Sequence, residues 1–565
     1  MRAYHAILAL VIVCVLAGIS IQVTDLGQQP ALVMSPHDSH MVAEIAPFNT
    51  AGVWTTTIGS QVIDIEVENF DGDAYEEVAV ITQNGTLFLF DEDSSLIWRL
   101  ALGATPRALA SFDATGANGL EILIGTDDGI LVVGADKTVK LNKTTPEPVY
   151  AVVGANLDGD ALDELVAGCD DFYVYAYEAN GTSLWNYLSN GRVRLLEATN
   201  IDADSQDEVL VASDTRLFTL LQDTGTMAFN TTSPTAIRTI GIGDLTGATD
   251  LDVLFGNANG TVNVYNITGD LQYSIQAEDA ITAIDVGDLV TGGRHELALG
   301  TSAAALRVFD SSGTPLWNKT LGGQVNTILF ANIGATANSQ VLATTNGVVT
   351  MYNSTGWRAL QTNIAGLTSI IRVGDLDDFG GEEFVIGTTG GTVSVYGRDY
   401  DKDGLADARE ILIEGTDYDI ADTDGDNLND GQEVLTYDTS PLLPDSDFDK
   451  LSDFAEVITY GTDPNESDSD NDKLTDWQEI YLGTDPNDSD TDNDQLTDFE
   501  ENNVTLTLPT DPDSDDDGIT DAQDDNDGDG LTNIQEVRIT KTDPNDVDSD
   551  HNGISDYYDD QDSDN

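Results

Sequence analysis

Asn69-Phe70-Asp71-Gly72-Asp73-Ala74-Tyr75-Glu76-Glu77-Val78-Ala79-Val80 is an acidic turn that runs directly into an apolar stretch. Side-chain oxygens on Asn69, Asp71 and Asp73 occupy alternate residues, and Glu77 follows four residues later. That spacing suits a backbone curling around its own carboxylates, either as a hydrogen-bonded turn or around a hard cation. The phrase returns complete at Asn156, Asp158, Asp160 and Glu164, and again at Asn200, Asp202, Asp204 and Glu208. Weaker copies start at Asp113, Asp244, Asp288, Asn332 and Asp375, so that eight starts lie 43 or 44 residues apart. A period in the forties with about four short strands per unit predicts a β-propeller.

Each unit reads alike. In the first, Val62–Glu68 forms an inner strand leading into the acidic turn, and Glu77–Thr82 forms a second strand. Asn84-Gly85 then turns the chain into Thr86–Asp91, and a fourth strand around Leu96–Leu102 carries Trp98. The last unit stops at Tyr396 after its third strand, while Trp54 precedes Trp98 by 44 residues, one repeat. Val53–Ile58 is therefore expected to supply the missing strand and close the ring. The fold expected is all-β: an eight-bladed propeller over 52–397, with seven blades as the alternative if the copy at Asn332 is not a full blade. A calcium-stabilised array of short loops and helical turns is expected over 398–565.

The Asp-Gly-Asp turns resemble the FG-GAP/VCBS repeats of integrin-type propellers, in which such turns hold calcium. Phrases such as Val174-Tyr175-Ala176-Tyr177 to Leu184-Trp185, and Val308-Phe309-Asp310 to Leu316-Trp317, are similar to quinoprotein-like propeller repeats. The first resemblance implies calcium at the three complete copies. In the last copy Phe379 takes the fifth position between Asp375, Asp377 and Glu383, which puts calcium there in doubt, and the copies with Thr115, Thr246 and Val290 have lost ligands and are expected to keep only the turn.

From Asp399 onward a second phrase repeats, Asp-x-Asp-x-Asp-x-x-x-Asp-x-x-Glu. Its first copy places Asp399, Asp401, Asp403, Asp407 and Glu410 at positions 1, 3, 5, 9 and 12 of a calcium loop, with Gly404 at 6 and the carbonyl of Leu405 at 7. The same places are filled by Asp422, Asp424, Asp426, Leu428, Asp430 and Glu433, then by Asp445, Asp447, Asp449, Leu451, Asp453 and Glu456. A fourth loop has Asp468, Asp470, Asp472, Leu474, Asp476 and Glu479, and a fifth has Asp490, Asp492, Asp494, Leu496, Asp498 and Glu501. The sixth, Asp513, Asp515, Asp517, Ile519, Asp521 and Asp524, ends in aspartate, as does the eighth, Asp548, Asp550, Asn552, Ile554, Asp556 and Asp559. Between them, Asp525, Asp527, Asp529, Leu531, Asn533 and Glu536 form the seventh. Loops six and eight are expected to be weaker sites rather than lost ones, because aspartate reaches less far than glutamate. Position 6 is glycine in four loops but Asn427, Lys450, Lys473 and Gln495 in the others, which are expected to turn differently or bind more weakly.

The loop starts are separated by 22 or 23 residues except for one step of 12. That leaves no room for both helices of an EF-hand, and a dockerin has only two such loops. The array resembles thrombospondin type-3 repeats, which implies that bound Ca2+ replaces much of an apolar core.

The chain has 565 residues and a formal charge of −80, and residues 399–565 carry more than half of that excess. Such a charge excludes nucleic acid recognised through its phosphates. A solvated acidic tail is the plain alternative for the last third, but disorder requires no fixed ligand register. Residues 1–23 read as a secretory signal or an uncleaved N-terminal anchor, residues 24–51 as a linker, and contact with a membrane is expected only through that segment. Cys14 and Cys169 give the mature chain no internal disulfide, and eleven Asn-x-Ser/Thr sequons suit an exported glycoprotein. The reading these features support is an extracellular or cell-surface protein whose propeller binds a protein or glycan ligand. The competing reading is a secreted propeller enzyme, quinone-dependent or polysaccharide-active. Five histidines, three of them before the propeller, offer no catalytic constellation, and His295 reads as a solvated turn residue.

Overall fold

The computed structural model describes residues 49–559 apart from 74, 117–118, 161, 248–249, 291–293, 334–338, 365 and 378–380. The expected signal or anchor segment lies outside the described residues, as does the linker up to residue 48.

Thirty-two strands form eight four-stranded antiparallel sheets, one per repeat. The first repeat is built from β2 (Val62–Glu68), β3 (Glu77–Thr82), β4 (Thr86–Phe90) and β5 (Leu96–Ala101), within a residue or two of the sequence reading. Eight blades are present. The weak copy at Asn332 is a complete one, with strands Thr327–Ala331, Gln340–Thr345, Val348–Tyr352 and Arg358–Asn363, so the seven-blade alternative fails. Its acidic ligands are gone, but the alternation that builds a strand survives without them.

The ring closes as expected, on a longer strand. β1 (Asn49–Thr57) pairs along the final strand β32 (Thr392–Asp399), from Asn49 opposite Asp399 to Thr57 opposite Thr392. The last strand thus runs three residues beyond Tyr396, and its final residue is the first ligand of the first C-terminal loop. The second strand of every blade is wholly buried, and eight separate apolar clusters fill the structure. The cluster at the closure also takes in Ala406 and Ala408 from the first C-terminal loop.

Two sets of bonds pass between neighbouring blades. Outer-strand tryptophans donate indole N–H bonds to the turn carbonyls of the next blade: Trp54 to Glu92 at 2.8 Å, Trp185 to Asp223 at 2.8 Å, Trp317 to Ser354 at 3.0 Å. The acidic turns are also chained, for the N–H of Asp163 donates to the carbonyl of Asp113 at 2.7 Å and that of Asp207 to Asn156 at 2.8 Å. The chain closes where the Asp375 N–H donates to the Glu76 carboxylate at 2.9 Å. His295 takes part in it, its Nδ1 accepting from the Asp244 N–H at 3.2 Å, so it is a linking residue and not merely a solvated one.

Deleting residues 49–57 would strip the partner from β32 and leave an open strand edge. The truncated protein is expected to associate, read as a rise in mass by light scattering.

Candidate metal centres

In the blade turns the buried carboxylate serves the backbone. Glu77 is fully buried, and one of its oxygens accepts from the N–H groups of Phe70 at 2.6 Å and Asp71 at 3.0 Å. Glu164 accepts likewise from Leu157, and Glu208 from Ile201. Around each, the acidic side chains fold back on their own turn. Asn69 accepts from the Gly72 N–H, and Asp71 from that of Asp73. Asn156 accepts from Gly159 and Asp158 from Asp160; Asp202 accepts from Asp204, whose carbonyl takes the Asn200 side-chain amide. The same anchoring persists where ligands are missing, at Glu121, Asp252 and Glu296, so the turn does not require a cation. Asp71/Asp73/Glu77, Asp158/Asp160/Glu164 and Asp202/Asp204/Glu208 nevertheless each bring three carboxylate oxygens within 4.8 Å of one another. So do Asp375, Asp377 and Glu383, a group the sequence reading set aside because of Phe379.

The C-terminal loops are assembled differently. Position 1 ties the loop, as Asp422 accepts from the Gly425 and Asn427 N–H groups. Position 5 accepts from the N–H of position 7, Asp426 from Leu428 at 2.7 Å for example. Position 9 accepts from the N–H and hydroxyl of position 2, Asp453 from Ser446 at 2.8 and 2.7 Å, and the pattern recurs at Asp430, Asp476, Asp498, Asp521 and Asp556. Two positions are left over. One oxygen of the position-3 aspartates Asp401, Asp424, Asp447, Asp470, Asp492 and Asp527 is buried without a partner, as is at least one oxygen of the position-12 glutamates Glu410, Glu433, Glu456, Glu479, Glu501 and Glu536. Leaving a buried acceptor unmet costs about 1–3 kcal/mol, more when it is charged. The same two positions in six loops therefore define a place that an oxygen-seeking cation fits.

Neighbouring repeats complete these places. In six loops the second oxygen of the position-5 aspartate accepts a backbone N–H from the next loop: Asp403 from Gly431 at 2.6 Å, Asp449 from Trp477 at 2.8 Å, Asp472 from Phe499 at 2.7 Å, Asp529 from Tyr557 at 2.8 Å, and likewise Asp426 and Asp494. The adjacent position-9 aspartate is thereby carried up to the preceding cluster. Burial, followed by its loop partners Asp447, Asp449 and Asp453 and then Asp476 of the next loop, pushes Glu456 up to about 9. Glu479 feels Asp498, and Glu501 feels Asp521, in the same way.

Loops six and eight stand apart. Among the described residues none of their carboxylate oxygens is buried and unpartnered; Asp515, Asp517 and Asp550 are exposed, and Asp559 takes a bond from the Asn552 amide. Ile519 and Ile554 are 45% and 50% exposed, whereas the leucines Leu405, Leu428, Leu451, Leu474, Leu496 and Leu531 are buried. Among the described residues, these are also the two loops that no aspartate reaches from ahead. Ahead of loop six, loop seven offers Asn533, whose amide is spent on the Asp521 carbonyl and Asn526. Asp521 and Asp556 of these loops each act on the glutamate of the cluster behind, Glu501 and Glu536 respectively.

Position 6 lies at positive φ in all eight loops, between 89° and 109°, in the region glycine favours: Gly404 at 109°, Asn427 at 89°, Lys450 and Lys473 at 92°, Gln495 at 97°. The non-glycine loops therefore turn the same way, at a strain of about 1 kcal/mol each. Part of that is offset where the Lys450 ammonium sits 3.9 Å above the Trp477 ring of the next loop.

Residues 468–489 and 525–547 match the family model described as Bacterial TSP3 repeat, a calcium-binding type. The array carries TSP3-type repeats. Residues 37–168 match the family model PTHB1 N-terminal. No curated protein matches the chain. Among solved structures, the fold is similar to BBS1N in complex with ARL6DN (12% identity, 62% of this chain and 96% of that one, TM-score 0.44). It is similar also to BamB from Moraxella catarrhalis (13%, 62% and 100%, TM-score 0.44) and to Chaetomium thermophilum Sqt1 bound to the N-terminus of ribosomal protein L10 (14%, 61% and 99%, TM-score 0.49). Likenesses this distant carry no argument about function.

The crowded carboxylates set a pH dependence. Glu410, Glu456, Glu479 and Glu501 are pushed up to about 9 and Glu433 to about 8, burial being the first cause and neighbouring carboxylates the next. An acid whose value is raised on folding stabilises the fold below its unfolded value and loses that contribution as pH rises through the folded one. In chelator, the melting temperature of the array is expected to fall steadily between about pH 5 and pH 9. A thermal melt that is flat over that range would contradict the crowding.

Proposed function

We propose that this is an exported, non-catalytic, calcium-binding protein of the cell surface or matrix. Its propeller, read as FG-GAP/VCBS-like, presents a face to an extracellular protein or glycan in adhesion, and the acidic array is a stalk stiffened by Ca2+. The observation that carries the calcium part is the recurrence of buried, unpartnered oxygens at positions 3 and 12 of six loops. Oxygen-only donors on a flexible loop select a hard cation such as calcium. The TSP3-type repeats support an extracellular setting, where calcium modules bind at about 10⁻⁴–10⁻³ M. Among the described residues no helix is long and apolar enough to cross a membrane.

Calcium counting tests the assignment of the clusters. Glu456→Gln is expected to remove one bound ion and Asp498→Asn to weaken two adjacent ones, whereas Asp524→Asn leaves the count unchanged. Equilibrium dialysis with elemental analysis reads all three, and an ion lost with Asp524→Asn would return loop six to the set of sites.

Removing calcium is expected to enlarge the array through carboxylate repulsion, seen as a greater radius of gyration and faster proteolysis between Asp399 and Asp559. Superimposable scattering curves in calcium and in chelator would defeat the stalk reading. Retention of the chain on a glycan and surface-protein array, compared in calcium and in chelator, tests the adhesive role separately.

A further inference from the structure

The first blade holds a carboxylate group that none of the repeat patterns contains. Glu77, Asp91 and Glu92 bring one oxygen each within 4.8 Å of one another. Glu77 is fully buried and only one of its oxygens serves the turn; the other, Oε1, is buried without a partner, and so is Oε2 of Glu92. Among the described residues no lysine, arginine or histidine forms an ion pair with any of the three.

The second blade shows how the same position is managed with a protein cation. There Glu121 stands for Glu77, and by strand register Gly134 and Ala135 stand for Asp91 and Glu92, with Lys140 in place of Ile97. The Lys140 ammonium pairs with Glu121. A Cβ built on Gly134 would lie 2.7 Å from the Lys140 Cε, so the lysine chain fills the room that the Asp91 side chain takes in the first blade. Two acids have replaced glycine and alanine, and the lysine has become isoleucine. The buried glutamate remains, and its counter-charge does not.

We propose that Glu77, Asp91 and Glu92 bind a divalent cation of the calcium class, with Glu77 shared with the acidic turn and Asp91 and Glu92 lying outside that turn and outside the array. All donors are carboxylates, which suits a hard cation. The site lies at the seam of the ring. The Glu92 carbonyl accepts the Trp54 indole N–H at 2.8 Å, and Trp54 belongs to β1, the strand that closes the last blade. Its ring lies 6.0 Å from that of Phe90, next to Asp91. A cation drawing Asp91 and Glu92 onto Glu77 therefore fixes the turn on which β1 is docked, and ring closure becomes calcium-dependent. The inference stands apart from the array, which contributes none of these residues.

Amide hydrogen exchange of Val53, Trp54 and Thr55 in the full chain, with calcium and with chelator, tests the site. At free calcium about ten times the dissociation constant, protection is expected to be roughly tenfold higher than in chelator. Glu92→Gln should abolish that difference. Ile97→Lys, which copies the second blade's arrangement at a partly exposed position, should abolish it while keeping protection high in both conditions, and each variant should bind one calcium fewer. Exchange of β1 indifferent to calcium in the unaltered protein overturns the proposal, as does a calcium response that survives both substitutions. The array touches β1 through β32 and through Ala406 and Ala408, but Glu92→Gln leaves those contacts in place, so a calcium response of β1 that it abolishes belongs to this site, and failure here is distinct from failure of the stalk reading.

Discussion

Repulsion between carboxylates held in dry surroundings governs the C-terminal third of this molecule. Two like charges about 4 Å apart cost on the order of 4 kcal/mol at an effective dielectric of 20. Each cluster gathers at least four: for Glu456 these are Asp447, Asp449, Asp453 and Asp476. Backbone N–H groups relieve positions 1, 5 and 9, but one oxygen of each position-3 aspartate and at least one of each position-12 glutamate in six loops is left without a donor. The arrangement is tolerable with protons or with metal, and at neutral pH with free calcium the metal is the available partner. Leucines such as Leu428 and Leu496 are buried between loops, yet one per repeat cannot outweigh several uncompensated charges.

The propeller meets the same difficulty by other means. Its buried glutamates spend one oxygen on one or two backbone N–H groups, two in the case of Glu77, and the second oxygen finds a different solution from blade to blade. Lys140 answers Glu121. Thr246 donates its hydroxyl to Asp252, the shorter acid that replaces glutamate in the fifth blade. The repeat thus keeps its turn while its charge is handled locally, which is why blades with degraded ligands are as regular as complete ones. In the array no such substitution is available, because ligand and scaffold are the same residues.

This difference explains what was legible in the sequence. Strand alternation and a 44-residue period report on burial, which every blade shares, so blade number, strand limits and the closing role of Trp54 could all be read before any coordinates. Ligand spacing reports on single loops, so the composition of each array loop was equally plain. Sharing between loops was not, since the bond from Gly431 to Asp403 spans 28 residues and leaves no mark in either loop's own pattern. In loops six and eight the missing glutamate is visible in the sequence, whereas the absence of an incoming aspartate among the described residues is a fact about the neighbour. Asp91 and Glu92 escaped notice because they fall outside the repeated phrase, and only comparison with Gly134 and Ala135 brings them out.

The single irregularity within the first six loops shows how strictly the sharing is enforced. Five repeats close on a wide helical turn, in which the residue at positive φ stands five after the glutamate; the Gly415 N–H donates to the Glu410 carbonyl at 2.7 Å, the Gly461 N–H to that of Glu456 at 2.7 Å, and the Lys541 N–H to that of Glu536 at 2.8 Å. The fourth repeat is one residue shorter. Its helix, Asp476–Leu482, winds more tightly, and the Gly483 N–H reaches the Glu479 carbonyl four residues back, again at 2.7 Å. The missing residue is absorbed within that turn, before the chain reaches the next loop. Phe499 accordingly still donates to Asp472, at a separation of 27 residues instead of 28. A helix can change its winding at small cost, but a cluster cannot lose the aspartate that arrives from the next repeat. The step of 12 between loops six and seven is too short to hold any such turn, and there the chain of shared aspartates stops, at Asn533.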